Sequence, residues 1–290
     1  MKFWERAQKV LGINQRNINY VYAENRRTDF ELVNNKLKTK EILKAAGMPH
    51  LRLLFQYQSY FELTKLRQDL LTLKSFAIKP ARGLGGGGIL VFDDQREGFF
   101  ITTSGKKMSA EEIESHAQNI LFGVFSIDNT TDIVFIEEKI KLHPFFNDIT
   151  YRGVPDIRII VYRKIAVQAM LRLPTQQSDG KANLHQGGIG VGVDLTSGRT
   201  LFAKSKKGYI ERHPDTGAAL AGLWIPQWSE ILALTRQVAE HFPLGYLGFD
   251  WVLDGHEGPK ILELNARPGL EIQNANQQGL AELLQETRHS

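Results

Sequence analysis

The chain has 290 residues, of which 42% are hydrophobic and 23% charged, and its formal net charge is +4 at pH 7. These values are ordinary for a globular protein with one large or two modest domains. The absence of cysteine excludes disulfides, thiol catalysis and cysteine-ligated metal centres. No apolar run reaches membrane-spanning length and no nucleic-acid-binding motif occurs, so we expect a cytoplasmic protein without a transmembrane segment or a nucleic-acid partner.

The first 35 residues are predicted to be a short N-terminal extension, too small for an independent domain. Their opening stretch has the pattern of a short amphipathic helix. Its apolar face consists of Phe3, Trp4, Ala7, Val10 and Leu11. We expect this face to pack against the protein's own core rather than on a membrane surface.

Two helices and a hairpin come after the extension. Residues 36–46 are predicted to form a helix that ends at Gly47, and residues 61–73 a second helix. Residues 75–80 and 89–92 are predicted strands. We call the segment between them, residues 81–88, the glycine loop.

The glycine loop has two interpretations, and the element after the loop distinguishes them. Residues 83–88 match G-x-G-x-x-G, the dinucleotide-binding fingerprint, but that motif must open a helix and here a strand comes next. A hairpin tip of this kind can instead fold bare backbone amides over a phosphate. The alternative is a ligand-free turn, although each glycine in ordered structure costs roughly 0.5–1 kcal/mol relative to alanine. Lys79 stands just before the loop, where its ammonium group could neutralise the same phosphate.

The middle of the chain reads as one helix and three strands. Residues 110–121 are predicted to be helical, and residues 133–140 form a buried strand whose charged end is a natural hinge with open backbone groups, able to bind an adenine edge. Residues 156–162 and 165–173 are predicted to pair as a hairpin. Beyond a polar, glycine-rich stretch, we expect a long helix at 228–241 and a C-terminal helix within 274–290.

The strongest local signal is the stretch 248–269, which predicts two strands around a turn-forming loop. Counting back from the loop, Leu253 lies opposite Lys260. The same count places Asp250 opposite Glu263 across the hairpin.

These acidic residues predict a metal site. Two carboxylates opposed on a sheet repel each other and need a cation. Asn265 lies on the same face as Glu263, and the three side chains together offer the hard oxygen ligands that Mg²⁺ prefers. The alternative is a solvent-exposed polar face of the hairpin.

Five motifs occur in a fixed order around these features. They are the segments 35–40, 78–88, 156–158, 183–188 and 262–269. Together with Asp250 they resemble the ATP-grasp superfamily, and within it the RimK-like α-L-glutamate ligases and the sugar-transfer-associated ATP-grasp proteins. The resemblance covers about residues 34–273. It implies an α+β ATP-grasp fold in which two α+β lobes clasp ATP, one at 36–138 with the glycine loop and one at 139–290 with the metal hairpin.

The resemblance also implies which residues form the site. ATP would be held by Lys36 and Lys79 at the phosphates, Gly85, Gly86, Gly87 and Gly88 above them, Glu137, Glu138, Lys139 and Ile140 at adenine, and Asp156 at ribose. Mg²⁺ or Mn²⁺ would be ligated by Asp250, Glu263 and Asn265. The acyl phosphate and the acceptor would face Arg158, Asn183, His185 and Arg267.

Relatives of this kind carry a separate N-terminal domain before the position of Lys36, and that domain helps to form the acceptor site. We expect it to be truncated here. A partner subunit or a second copy of the chain would then supply the missing wall.

The implied activity is an ATP- and Mg²⁺-dependent carboxylate–amine ligase that forms an amide through an acyl phosphate. Glutamate or another amino acid is a candidate substrate, and the acceptor would be a small amino acid, a peptide or a protein. One alternative is an enzyme that phosphorylates or activates a carboxylate or a saccharide-linked substrate without peptide-type ligation. A nucleotide-binding module without turnover is a further alternative, disfavoured by the complete metal set.

Overall fold

The computed structural model describes residues 9–83, 85–126 and 130–289. Within them the strands form two antiparallel sheets, each with its own hydrophobic core. None of the helices in these ranges has both the length and the apolarity to cross a membrane. Most of the helix predicted near the N-terminus lies outside the described residues, although Leu11 is buried and Val10 is half exposed.

The first sheet has six strands in the order β1-β6-β2-β3-β4-β5. The strands are β1 (Leu53–Tyr57), β2 (Phe76–Pro80), β3 (Leu90–Arg96), β4 (Phe99–Thr102), β5 (Lys107–Met108) and β6 (Val134–Glu138). Strands β2 and β3 flank the glycine loop and pair antiparallel, with Ile78 opposite Leu90, which confirms the predicted hairpin. The second strand of this hairpin is longer than predicted.

Three helices lie along the chain between strands of this sheet. They are α5 (Tyr60–Leu63), α6 (Leu66–Leu70) and α7 (Ala110–Leu121). Helix α7 begins with a capping box. The Ser109 hydroxyl accepts from the Glu112 N–H at 3.2 Å, and the Glu112 carboxylate accepts from the Ser109 N–H at 2.7 Å. The predicted bounds of α7 are confirmed, whereas the single helix predicted over 61–73 is divided into α5 and α6.

The second sheet has seven strands in the order β11-β10-β9-β8-β7-β12-β13. The strands are β7 (Asp156–Tyr162), β8 (Ile165–Leu173), β9 (Ile189–Val193), β10 (Thr200–Ser205), β11 (Gly208–Ile210), β12 (Tyr246–Asp254) and β13 (Gly258–Asn265). Strands β7 and β8 have the predicted bounds and join through Arg163 and Lys164, whose φ values of +46° and +70° form the two-residue turn. The central strands are buried on both faces.

The remaining helices pack mainly around the second sheet. They are α1 (Ile13–Arg16), α2 (Tyr22–Glu24), α3 (Glu31–Asn34), α4 (Lys36–Ala45), α8 (Trp228–Glu240), α9 (Glu271–Ala275) and α10 (Leu280–His289), with a π-helical turn at Asn17–Val21 and 3₁₀ turns at Arg27–Phe30, Pro144–Phe146 and Leu184–Gln186. Tyr20, Val21 and Phe30 of the N-terminal segment belong to the core of the second sheet, as does Leu43 of α4. Helix α4 therefore links the first lobe, to which the sequence assigned it, with the second sheet.

Candidate active site

A cavity of about 1150 Å³ lies between the two sheets. The first sheet contributes Ala77, Lys79 and Val91 to its wall, and the second sheet contributes Arg158 and Glu263. A cavity of this size accommodates a nucleotide-sized ligand.

The glycine loop covers one side of this cavity, and three of its carbonyl groups accept hydrogen bonds from side chains. Lys36 Nζ donates to the Gly83 carbonyl at 2.8 Å, and His116 Nε2 to the Gly88 carbonyl at 2.8 Å. Gly85, Gly86 and Gly88 have φ values of +60°, +82° and +73°, which only glycine adopts without strain. Leu84 lies outside the described residues.

A turn of the second half of the chain holds the tip of the loop. The Gly85 carbonyl accepts hydrogen bonds from Gln186 Nε2 at 2.8 Å and from Asn183 Nδ2 at 3.2 Å. Asn183 also accepts a hydrogen bond from the His185 N–H at 2.9 Å, which starts the 3₁₀ turn at Leu184–Gln186. We call these two bonds to Gly85 the loop latch.

The backbone N–H groups of the four glycines at 85–88 are not fixed in this way. Those of Gly85, Gly86, Gly87 and Gly88 donate to no acceptor among the described residues. Gly85 and Gly86 line the cavity, so their amides are placed to bind a phosphate oxygen.

The two predicted phosphate lysines lie on the cavity wall. Lys36 Nζ is 3.8 Å from Glu263 Oε2. Lys79 forms an ion pair with Glu137, which is 1% exposed and also pairs with Lys40 at 2.7 Å. Burial acts to raise the pKa of Glu137, but the ammonium groups of Lys79 and Lys40 hold it below its usual value.

The predicted hinge, residues 137–140, consists of the last two residues of strand β6 and the two residues beyond it. Glu138 pairs with Lys260 at 2.5 Å, and the ammonium group of Lys139 lies 2.8 Å from Asp93. Within the described residues, the C=O of Lys139 and both backbone groups of Ile140 have no hydrogen-bond partner. Both residues line the cavity, so these backbone groups are available to an adenine edge.

A buried cluster of guanidinium and carboxylate groups forms the floor of the cavity. Arg158 donates to Asp250 Oδ1 at 2.7 Å and to Oδ2 at 2.5 Å. Arg172 donates to Asp250 Oδ2 at 2.7 Å and also pairs with Asp156. Burial opposes ionisation of Asp250, but Arg158 and Arg172 hold its pKa well below the usual range. Burial raises the pKa of Asp156 to about 7. The Arg172 guanidinium acts to lower this pKa, and the negative charge of Asp250 acts to raise it.

The predicted metal ligands lie together on hairpin β12–β13. Asp250 is opposite Glu263, as predicted, and Asn265 Nδ2 lies 3.2 Å from Asp250 Oδ2 and 3.4 Å from Glu263 Oε1. The predicted pairing of Leu253 with Lys260 is wrong by one residue, because Leu253 pairs with Pro259 and an irregularity between Asp250 and Trp251 restores the register.

The donor set fits Mg²⁺ in part. Glu263 and Asn265 line the cavity with hard oxygen atoms, whereas both oxygens of Asp250 accept from guanidinium groups. The cation that the opposed carboxylates were expected to need is thus supplied at Asp250 by Arg158 and Arg172. No cluster of three His, Asp or Glu side chains suited to a metal occurs in the described part of the chain. The predicted ligand set contains only two acidic side chains, Asp250 and Glu263, together with the amide of Asn265.

The predicted acceptor residues lie at the same cavity. Besides Asn183, the exposed His185 and Arg267 line it. The Arg267 guanidinium stands 5.1 Å from the Phe30 ring and 5.5 Å from the Tyr22 ring, so the N-terminal segment positions it.

The roles of four residues in this geometry were not predicted: Lys40, His116, Arg172 and Gln186. Lys40 and Gln186 lie within the motif segments 35–40 and 183–188. Helical spacing puts Lys40 one turn after Lys36, which was a usable signal. Arg172 could not be placed by counting, because an irregularity in the β7–β8 pairing shifts it opposite Asp156. His116 and Gln186 contact the glycine loop only through the tertiary fold.

Comparison with known proteins gives one family and several similar structures. The sequence matches the family described as sugar-transfer associated ATP-grasp over residues 15–289. Solved structures of similar fold include the ATP-grasp ligase PsnB with its minimal precursor (13% identity, TM-score 0.45, covering 91% of this chain and 62% of that chain). They also include D-alanine–D-alanine ligase from Bacillus anthracis (14% identity, TM-score 0.48, covering 89% and 67%). The chain thus spans less than two thirds of the length of PsnB, and no curated protein matches it.

Proposed function

The chain belongs to the sugar-transfer associated ATP-grasp family and has its α+β fold, and we propose on this premise that it is an ATP- and Mg²⁺-dependent carboxylate–amine ligase. In this reaction a carboxylate oxygen attacks the γ-phosphorus of ATP and ADP leaves. An amine then attacks the acyl phosphate, giving an amide, phosphate and a proton. We further propose glutamate or another amino acid as a substrate, an amino acid, peptide or protein as acceptor, and the cytoplasm as the place of action.

One observation carries the proposal: within the described residues the N–H groups of the glycines at 85–88 have no acceptor, while the carbonyls of Gly83, Gly85 and Gly88 accept from side chains. Lys36 and His116 fix the two ends of the loop, and the loop latch fixes Gly85. A loop fixed in this way offers preorganised donors to phosphate oxygens. Phosphoryl transfer depends chiefly on such positioning and on charge neutralisation.

The lysines and the hinge complete the proposed nucleotide site. Lys36 and Lys79 would contact the phosphates from the cavity wall. The Lys139 C=O and the Ile140 backbone groups, which have no partner within the described residues, would bind the adenine edge. Asp156 lies at the cavity too, but Arg172 already holds it, so a hydrogen bond to ribose would share that carboxylate.

Glu263 and Asn265 would hold the metal ion, with Asp250 behind them. When bound, Mg²⁺ or Mn²⁺ neutralises phosphate charge. Glu263 is suited to this role because its contacts are long: Lys36 Nζ lies 3.8 Å from Oε2, and Asn265 Nδ2 lies 3.4 Å from Oε1.

The acceptor side would be formed by Arg158, Arg267, Asn183 and His185. Arg267 offers a planar fork to anionic oxygens. The loop latch closes the cavity near Asn183, and this closure would keep water from hydrolysing the acyl phosphate. Tyr22 and Phe30 support Arg267 from the N-terminal segment, and a second copy of the chain or a partner subunit would complete the wall beyond them.

A second candidate comes from the family description, which associates the group with sugar transfer. In this case the enzyme would phosphorylate or activate a carboxylate or saccharide-linked substrate without forming an amide. The mass of the product separates the two reactions.

Incubation with ATP, Mg²⁺ and a panel of amino acids and short peptides tests the proposal. We expect ADP and an amide product in equal amounts, and their loss in Glu263→Gln. Glu257→Gln is the matched control, because Glu257 belongs to the same hairpin but its side chain is 65% exposed in the turn. ADP formation that is independent of every acid and amine, or near-normal turnover by Glu263→Gln, would contradict the proposal.

A further inference from the structure

Glu137 at the end of strand β6 carries one negative charge but faces two ammonium groups. Lys40 and Lys79 both form ion pairs with it, and the three side chains are 9%, 9% and 2% exposed in the order Lys40, Lys79, Glu137. Desolvation makes a buried charge costly unless it is paired. One lysine would suffice for Glu137, so the second cation is in excess.

The two lysines differ in how firmly they are held. Lys40 Nζ lies 2.7 Å from Glu137 Oε2 and also donates to the Leu51 carbonyl at 2.7 Å. Within the described residues Glu137 is the only partner of Lys79 Nζ, and Glu137 Oε1 forms no hydrogen bond of regular geometry there. Lys79 therefore has more N–H groups left to donate to a ligand than Lys40, whose ammonium group already contacts both Glu137 and the Leu51 carbonyl.

The two lysines also differ in what they face. Lys79 and Glu137 line the cavity, whereas Lys40 lies behind them. Lys36 and Lys40 are one turn apart on helix α4. The same helix therefore places the Lys36 ammonium group at the phosphate site and the Lys40 ammonium group behind Glu137. Only Lys79 of the pair around Glu137 can reach a ligand in the cavity.

We propose that Lys40 is a positioning residue, which holds Glu137 and thereby leaves the ammonium group of Lys79 free to bind a phosphate of the nucleotide. When Lys79 turns to the phosphate, Glu137 stays paired and no buried carboxylate is left unpaired. Without Lys40, Glu137 would hold Lys79 as its only counter-ion. This inference rests on the proposed nucleotide site.

Calorimetric titration with ADP and Mg²⁺ tests the proposal on three variants of the full chain. Lys40→Met should weaken ADP binding on the order of tenfold, a coupling common for neighbouring residues. The double variant Lys40→Met/Glu137→Gln should bind ADP more tightly than Lys40→Met, because the carboxylate that retains Lys79 is gone. Lys38→Met is the matched control: it removes a cation from the same helix, but one that is half exposed and pairs with Glu31.

A purely structural role of Lys40 would not give recovery in the double variant. Unchanged binding by Lys40→Met, or a double variant as weak as the single one, would overturn the inference. If Lys40→Met does not fold, the double variant is compared with Glu137→Gln alone: equal ADP affinity of the two supports the inference, and weaker binding by the double variant overturns it. Failure of the wild-type protein itself to bind ADP would instead contradict the proposed function.

Discussion

Arg158 holds Asp250 through two hydrogen bonds, of 2.7 and 2.5 Å, on the floor of the cavity. Arg172 adds a third at 2.7 Å, so the carboxylate is compensated by two guanidinium groups. Asp250 is fully buried, whereas the side chain of Glu263 opposite it is 31% exposed. The two acids of the hairpin therefore differ in what their removal does.

Asp250→Asn should destabilise the protein in the absence of metal. The substitution leaves Arg158 and Arg172 without their shared counter-ion, and breaking a buried pair costs about 3–5 kcal/mol. Urea unfolding in EDTA measures this change. Glu263→Gln is the control and should stay within roughly 0.5 kcal/mol of wild type, as surface substitutions do. Equal stability of both variants would show that Asp250 is not the anchor of the two arginines.

The loop latch gives a second prediction. Gln186→Leu removes one hydrogen bond to the Gly85 carbonyl, and a neutral hydrogen bond contributes about 0.5–1.5 kcal/mol, so ADP–Mg²⁺ affinity should fall roughly two- to tenfold. Proteolysis within the glycine loop should become faster. Gln285→Leu on the exposed face of α10 is the control and should change neither quantity. Unaltered ADP–Mg²⁺ affinity in Gln186→Leu would show that the loop latch does not contribute to nucleotide binding.

Arg267 is predicted to act on the acceptor side. Arg267→Lys keeps the charge but loses both the planar fork and the stacking on Phe30 and Tyr22. Since a hydrogen bond to a charged group contributes about 1.5–3 kcal/mol, product formation should fall roughly ten- to a hundredfold while ADP affinity stays unchanged.

Arg27→Lys is the matched control for Arg267. Its guanidinium also lies over the Tyr22 ring, at 5.8 Å, but it does not line the cavity. This variant should keep near-normal product formation. Collapse of ADP binding in Arg267→Lys would place Arg267 in the nucleotide site instead.

Asp254 gives a pH-dependent prediction at the other end of the hairpin. It accepts hydrogen bonds from the N–H groups of Lys141, His256 and Glu257 at 2.9, 2.9 and 3.1 Å. Burial acts to raise the pKa of Asp254, but these hydrogen bonds hold it below its ordinary value of 3.8. Because the folded pKa is the lower one, Asp254 contributes its full stabilisation above pH 3.8 and loses it as the pH falls through the folded value.

Asp254→Asn should therefore be less stable at neutral pH, by about 1–3 kcal/mol, because one N–H loses its acceptor. Its stability should also fall less steeply than that of wild type as the pH drops below about 4. Unfolding free energies measured from about pH 6 to about pH 2 show both effects. Parallel curves for the two proteins would contradict the role given to Asp254.

Much of the fold was predictable because its local signals agree. The bounds of β7, β8 and α7 can be read directly from residue patterns. The facing of Asp250 and Glu263 was also predicted, although the count began one residue out of register at Leu253 and an irregularity cancelled the error. Strand bulges are not visible in the alternation of side chains.

The parts that sequence could not predict are long-range. Arg172 reaches Asp156 and Asp250 because the β7–β8 pairing slips by one residue between Ile160 and Val161. Lys40 and Glu137 are far apart along the chain and meet only when α4 packs beside the first sheet. Asp250 is neutralised by the guanidinium groups of Arg158 and Arg172. Because the contact with Arg172 could not be predicted, the sequence alone indicated a metal cation as the counter-ion of Asp250.

Hydroxylamine trapping tests the central claim, carboxylate activation by phosphoryl transfer, most directly. Hydroxylamine replaces the unknown amine, attacks any acyl phosphate and gives a stable hydroxamate. With ATP, Mg²⁺ and a panel of carboxylic acids that includes glutamate, we expect hydroxamate from at least one acid, together with an equal amount of ADP. Formation of AMP and pyrophosphate, or of ADP without hydroxamate from any acid, would contradict the account.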